Sequence, residues 1–171
     1  MKNLVRLTDA GPYVDQSDSW ELGSTDPSPS DNVPRIMPFN MWLELAHNLS
    51  MDESCLALLG VVLSADDDPH ILEPWLTKLP LIALQFPDFR DGRAYSQAYL
   101  LRQRYGYTGE LRAVEDVLRD QLSHMRQCGF DSFAIREDKS PEDALLGLAG
   151  TSVLYGRSVI EPRPLFRRGR V

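Results

Sequence analysis

Charged residues that could do chemistry gather in four short stretches of this sequence. They are Asp66, Asp67 and Asp68; Asp88, Arg90, Asp91 and Arg93; Arg112, Glu115, Asp116, Arg119 and Asp120; and Arg136, Glu137, Asp138 and Lys139. Arginine offers a planar fork of donors that fits carboxylates and oxyanions, and a neighbouring carboxylate can act as acid or base. The candidate site for an anion or a partner therefore comprises Arg90, Asp91, Arg93, Arg112, Asp116, Arg119, Arg136 and Glu137. In an enzyme or ligand-binding protein, Arg93, Arg112 and Arg136 would grip an oxyanion or phosphate, with Asp91, Asp116 or Glu137 supplying acid–base function. The competing reading is that these residues cap helices and pair with one another.

Other chemistries find little footing. The acid triplet Asp66–Asp68 has no further ligand spacing around it, so no metal is expected. No serine sits in a Gly-x-Ser-x-Gly elbow, and neither the phosphate-loop nor the glycine-rich dinucleotide pattern occurs. His47 and His124 fall within helical patterns and His70 in a first turn, which favours structural roles over general-base ones. Cys55 and Cys128 lack CxxC spacing and lie in apolar-periodic segments, where a free cysteine behaves as a small hydrophobe. No cofactor of the chain's own is expected.

The four stretches need elements to position them. Leu58–Leu63 is a continuous apolar run with two valines, the pattern of a strand buried on both faces. Leu81–Phe86, Leu111–Val114 and Ser132–Arg136 read as further strands, each after a helical segment. Asp66-Asp67-Asp68-Pro69 caps a helix with apolar face Ile71, Leu72, Trp75, Leu76 and Leu79, which Pro74 splits or starts anew. A long helix runs from Arg93 to Tyr105, and Asp116 caps another that ends at Gly129. Ser140-Pro141-Glu142-Asp143 opens a last helix. Upstream come strands at Leu4–Leu7, Tyr13–Leu22 and Val33–Met37, then a helix capped by Asn40 with stripe Trp42, Leu45, Ala46 and Leu49.

Such alternation predicts an α/β fold: a small parallel sheet or half-barrel of four to five βα units, with an N-terminal β arm and an extended basic C-terminal tail. The expected divisions are 1–31 (arm and loop), 32–154 (α/β domain) and 155–171 (tail). Ligands of parallel α/β folds bind beyond the carboxyl ends of the strands, where the charged stretches fall. Alternation also turns Arg112 away from Leu111 and Ala113, and Arg136 away from Phe133 and Ile135. One sheet face then carries both arginines, as an anion site, a buried ion-pair network or a docking surface.

A net charge of −7 argues against nucleic acid as a partner. The longest apolar run, Ala57–Leu63, is too short to cross a bilayer, and residues 1–9 lack a signal-peptide pattern, so a cytoplasmic protein without membrane attachment is expected. Of 18 basic residues 15 are arginine, and Arg157, Arg163, Arg167, Arg168 and Arg170 concentrate in the tail. There Arg163, Phe166, Arg167 and Arg168 are the candidate contacts with an acidic partner, against the reading that the tail folds back on its own domain.

Six stretches carry a resemblance. Phe89-Arg90-Asp91-Gly92-Arg93-Ala94-Tyr95-Ser96-Gln97-Ala98 is followed by Leu100-Leu101-Arg102 and by Tyr105-Gly106-Tyr107-Thr108-Gly109-Glu110-Leu111-Arg112. Asp116-Val117-Leu118-Arg119-Asp120-Gln121-Leu122, Met125-Arg126 and Cys128-Gly129-Phe130-Asp131 complete the set. Over about residues 58–145 the chain resembles a proteobacterial family of uncharacterised proteins, domain-of-unknown-function family 934. That family has a small residue, usually glycine, where this chain has Glu115. Its members are commonly encoded beside the haemoprotein of assimilatory sulfite reductase. The resemblance thus implies an accessory protein that supports the haemoprotein or its electron donor, an oxidoreductase component without a redox cofactor. It implies no catalytic residue. Oxyanion or phosphate recognition at the strand ends is the alternative function, and a homo-oligomer that closes the polar sheet face with a second copy is a third.

Overall fold

The computed structural model describes residues 2–23, 33–48, 56–148 and 154–168. The loop at 24–31, Leu49, Cys55 and Arg170 lie outside the described residues. In chain order the elements are β1 (Leu4–Thr8), β2 (Gly11–Asp15), β3 (Glu21–Leu22), β4 (Arg35–Pro38), α1 (Phe39–Asn48) and β5 (Leu59–Leu63). After a 3-10 segment at Pro69–Trp75 come β6 (Leu81–Phe86), α2 (Arg93–Gln103) and β7 (Glu110–Glu115). A 3-10 turn at Arg119–Gln121 runs into α3 (Leu122–Cys128), followed by β8 (Ser132–Ala134), α4 (Pro141–Leu148) and a 3-10 turn at Leu165–Arg167. Among the described residues no helix is long and apolar enough to cross a membrane.

All eight strands form one curled, half-barrel sheet in the order β2-β1-β8-β7-β6-β5-β4-β3. From β3 to β8 neighbouring strands are parallel. The parallel run is therefore six strands long, exceeding the four or five expected, because the short β3 and β4 join it from upstream of β5. The N-terminal arm then closes on the last parallel strand: β1 pairs antiparallel with β8 (Leu4 opposite Ala134), and β2 folds back on β1.

Two apolar layers follow from strand alternation. On the convex side Val61, Ile82, Leu84, Leu111, Ala113 and Phe133 meet the helices, including Ala98 and Leu101 from α2. These two residues and Ala94 share one buried stripe at helical spacing. On the concave side Leu4, Ile36, Val62, Leu81, Ala83 and Val114 form a smaller cluster, against which Trp20 packs. Gly60 makes that fit: a Cβ there would come within 3.3 Å of the Trp20 ring and 3.1 Å of the Leu81 carbonyl. The arm's Trp20 is thus the plug of the curl.

Several boundaries differ from expectation for local reasons. Two prolines, Pro69 and Pro74, hold residues 69–75 in a 3-10 winding in place of the α-helix, with Asp68 accepting the His70 amide as cap. Phe39 opens α1, so Asn40 is inside the helix and is not its cap. Asp116 caps no helix, because the α-helix after β7 begins only at Leu122, beyond the 3-10 turn. Tyr13–Leu22 is two strands divided by a bend. Strand β8 ends at Ala134, so Arg136 leaves the sheet and shares no face with Arg112.

The C-terminal segment does not run extended. It closes on itself: Leu165 N donates to Tyr155 O at 3.0 Å, and Arg168 donates to Arg163 O and Leu154 O, both at 2.7 Å. Val159 N donates to Gln127 O at 2.9 Å, which ties the loop to α3.

Candidate functional site

The concave face has two ends of opposite character. At the end where the strands begin, Arg112 lies fully buried, 0% exposed, against an Asp18 side chain that is equally buried. Arg112 Nη2 donates to Asp18 Oδ1 and to Glu110 Oε1, each at 2.8 Å. Arg6 reaches in from β1 and donates to Asp15 (2.8 Å), Asp18 (3.0 Å) and Glu110 (2.6 Å). Ser132 on β8 completes the set by donating to Glu110. Burial alone would raise the Asp18 carboxyl, but hydrogen bonds and charge from Arg112 overcome it and hold the carboxyl below its ordinary value. For Glu110, too, burial opposes and the Arg112 charge wins, leaving it lowered. Asp15 is lowered to about 2 against its own burial, by Ser17 and Arg6. Of the three roles open to Arg112, the structure selects the buried ion-pair network.

At the other end, where the parallel strands finish, the curl opens into two hollows that share Leu22 and Glu115 as lining. The first, about 460 Å³, is bounded by Asn40, Ser64, Asp67, Gln85 and Glu115 over a base that includes Val62. The second, about 700 Å³, lies beyond Glu115 towards Lys2, Ala134, Arg136, Glu137 and Asp138. Between them Glu115 adopts φ +79°, a left-handed backbone that side chains with a Cβ rarely take. Its carboxylate accepts from Gln85 Nε2 at 2.8 Å. Asp67 is fixed on its loop by accepting Ser64 N (2.7 Å) and Ser64 Oγ (2.8 Å). Beneath that loop the buried Gln97 donates to the Ser64 and Asp67 carbonyls, both at 2.8 Å.

Of the predicted site residues Asp91 meets Arg93 and Asp116 meets Arg136, but the three arginines expected to grip an oxyanion do not converge. Arg90 pairs with Asp88 on its own loop. Arg93 is held by Asp91 at 2.7 Å and by Asp66, and its hydrogen bonds bring the Asp91 carboxyl down to about 2. Arg136 bridges Asp116 (2.7 Å) and Asp138 (2.6 Å), and lowers Asp138 to about 2. Asp116 also accepts Phe89 N at 2.8 Å, so it links the loops after β6 and β8. Arg119 pairs with Asp143 of α4. Glu137 is exposed on the far wall of the second hollow. Thus Arg93 and Arg136 sit on separate rim loops while Arg112 is sealed at the opposite end. The three acids at 66–68 part in the same way, each with its own partner.

In the C-terminal loop Arg168 is an internal staple, whereas Arg163, Phe166 and Arg167 face outward. Phe166 is 71% exposed and Tyr155 74%, with the Arg167 guanidinium 5.9 Å from the Phe166 ring centre. Cys128 is half-buried, and burial pushes its thiol up to about 11, far from thiolate reactivity at neutral pH.

Sequence reasoning missed the residues supplied by the arm and, at the mouth, Gln85 and its bond to Glu115. Asp18, Arg6 and Asp15 reach Arg112 from a segment whose docking place no spacing reveals. The Glu110-x-Arg112 alternation was the available signal, since it puts two opposite charges on one strand face. Gln85 and Glu115 are register partners of neighbouring strands offset by one position, visible only once β6 and β7 are aligned.

Comparison with curated proteins found no match, and comparison with solved structures found none either. The sequence model of one family, described as a bacterial protein of unknown function (DUF934), matches residues 60–166, from β5 through the C-terminal loop. The match spans well over half of the chain, and the protein belongs to that family.

Proposed function

We propose that this protein is an accessory, partner-binding component of assimilatory sulfite reduction, docking on the sulfite reductase haemoprotein or its electron donor. The observation that carries the reading is the C-terminal loop. It sets two highly exposed aromatic rings among outward-facing Arg157, Arg163 and Arg167, while Arg168 fixes the loop's shape from inside. Exposed aromatic and arginine side chains on a preformed loop are what an interface uses as anchors. Their positive charge fits an acidic surface. The sulfite-reduction context comes from the family resemblance. The rim arginines add support of another kind: each already holds a carboxylate of its own chain. Oxyanion capture there, the alternative, requires Asp66, Asp91, Asp116 or Asp138 to let go first.

Co-purification with the complete sulfite reductase at low salt tests the reading. The wild-type chain should retain the reductase, and F166A/R167E should weaken retention at least tenfold, since both changes lie on the surface and spare the loop's own hydrogen bonds. Failure of the wild-type chain to associate with either the haemoprotein or its donor would sink it.

A further inference from the structure

We propose that the first hollow, at the mouth of the curled sheet, binds a small organic molecule through an ammonium group. This inference does not rest on the docking reading. The hollow has the volume of a small-molecule site, about 460 Å³, and opens beyond the final residues of β4, β5, β6 and β7. Parallel sheets present their ligands there.

Its lining sets the charge of the ligand. Asp67 and Glu115 both face the hollow, and among the described lining residues there is no lysine or arginine. Each carboxylate is fixed through one oxygen, Asp67 Oδ2 by Ser64 and Glu115 Oε1 by Gln85. Among the described residues nothing is bonded to the second oxygen of either, so each carboxylate of the lining keeps an acceptor for a ligand. The Gln85 side-chain oxygen, on an amide that gives one N–H to Glu115, is a third acceptor. Opposite them α1 begins at Phe39, bringing roughly half a positive charge. Two full carboxylates outweigh it, and the cavity favours a cation. A metal ion is a poor occupant, since among the described residues no three His, Cys, Asp or Glu side chains come together to hold one. An ammonium suits the site better: it can donate to a carboxylate oxygen of Asp67 or Glu115, or to Gln85, without needing a metal's ligand set. Val62 and Leu22 can cover the carbon chain behind it.

Thermal unfolding of the full chain with 2-aminoethanol and 1,4-diaminobutane as probes, against acetate, phosphate and sulfite at equal ionic strength, tests this. Saturating amine should raise the melting temperature by about 3–5 °C. The rise should vanish in both E115Q and E115G. Because E115G relieves the left-handed backbone at 115, the free variant should melt no lower than wild type, which separates lost binding from lost folding. The proposal is overturned by flat curves with both amines, by an equal shift in E115G, or by a larger shift with any of the oxyanions.

Discussion

The two ends of the concave face use the same residue types to opposite effect. Where the strands begin, Arg6, Asp15 and Asp18 of the arm meet Glu110 and Arg112 of β7 about a hundred residues away, around an Arg112–Asp18 pair sealed from water. Where the strands finish, arginines pair mainly with acids two positions away on the same loop, as in Asp88–Arg90, Asp91–Arg93 and Arg136–Asp138, and all face water. Removing water from a charge is costly, so a buried pair is sensitive to loss of either member. An exposed pair is screened and easily replaced by hydration. Density of charge in a sequence is therefore a poor guide to function. Span between the partners and burial decide what the charge does.

The sharpest way to break this comparison is Arg112→Met. It strands Asp18 and Glu110 without their principal counter-charge and should cost about 3–5 kcal/mol in urea unfolding. A change below about 1 kcal/mol would show that the inner network is no more than a surface-like cluster. Acid titration gives the next largest effect. The carboxyls of Asp15, Asp18 and Glu110 all lie below their ordinary values, so the folded chain takes up protons less readily than the unfolded one. The resulting stability is complete above about pH 4.5, where the unfolded carboxyls have ionised, and drains away as pH falls towards about 2. Unfolding midpoints measured from pH 7 to 2 should show this decline, and it should be much shallower in Arg112→Met.

Glu115→Gly sharpens the contrast from the mouth. A glycine relieves the positive φ and gives up only the bond to Gln85, so thermal stability should rise by about 1 kcal/mol. A loss would mean that the Glu115 carboxylate supports the loop more than its backbone strains it. Smallest of all, the triple change of Arg90, Arg93 and Arg136 to alanine should leave the unfolding midpoint unmoved. A clear drop would assign the rim pairs a structural weight that their exposure denies.

Much of the frame was legible because buried parallel strands announce themselves. Leu59–Leu63 is apolar on both faces and Leu81–Phe86 is so except at Gln85, the pattern of strands with a core on either side, whereas in β7 only Arg112 interrupts the apolar run Leu111–Val114. Gly129, with φ +102°, ends α3 as its position after Cys128 predicted. Less visible were features that depend on tertiary partners. Ser132–Arg136 reads as a five-residue strand, yet the ladder with β1 ends at Ala134, Ile135 N adds one bond to Asn3 O, and Arg136 N turns away to Val117 O. Asp116 looks like a cap from its place before an apolar stripe, but the rim loops bid for its oxygens and won. The outward Arg112 of the sequence pattern was real. What covers it, Asp18 on the arm, could not be inferred from any local period.

The arm's seat beside β8 has a temporal consequence. A nascent chain leaves the ribosome N-terminus first, so Leu4 emerges long before Ala134, its eventual neighbour, has been synthesised. Until then Arg6, Asp15 and Asp18 remain hydrated and Trp20 has no finished curl to enter. Such long-range closure comes late and slowly. Completion of the sheet and insertion of its plug should therefore coincide, and Trp20 fluorescence in a W42F/W75F background should report that event as the last phase of refolding.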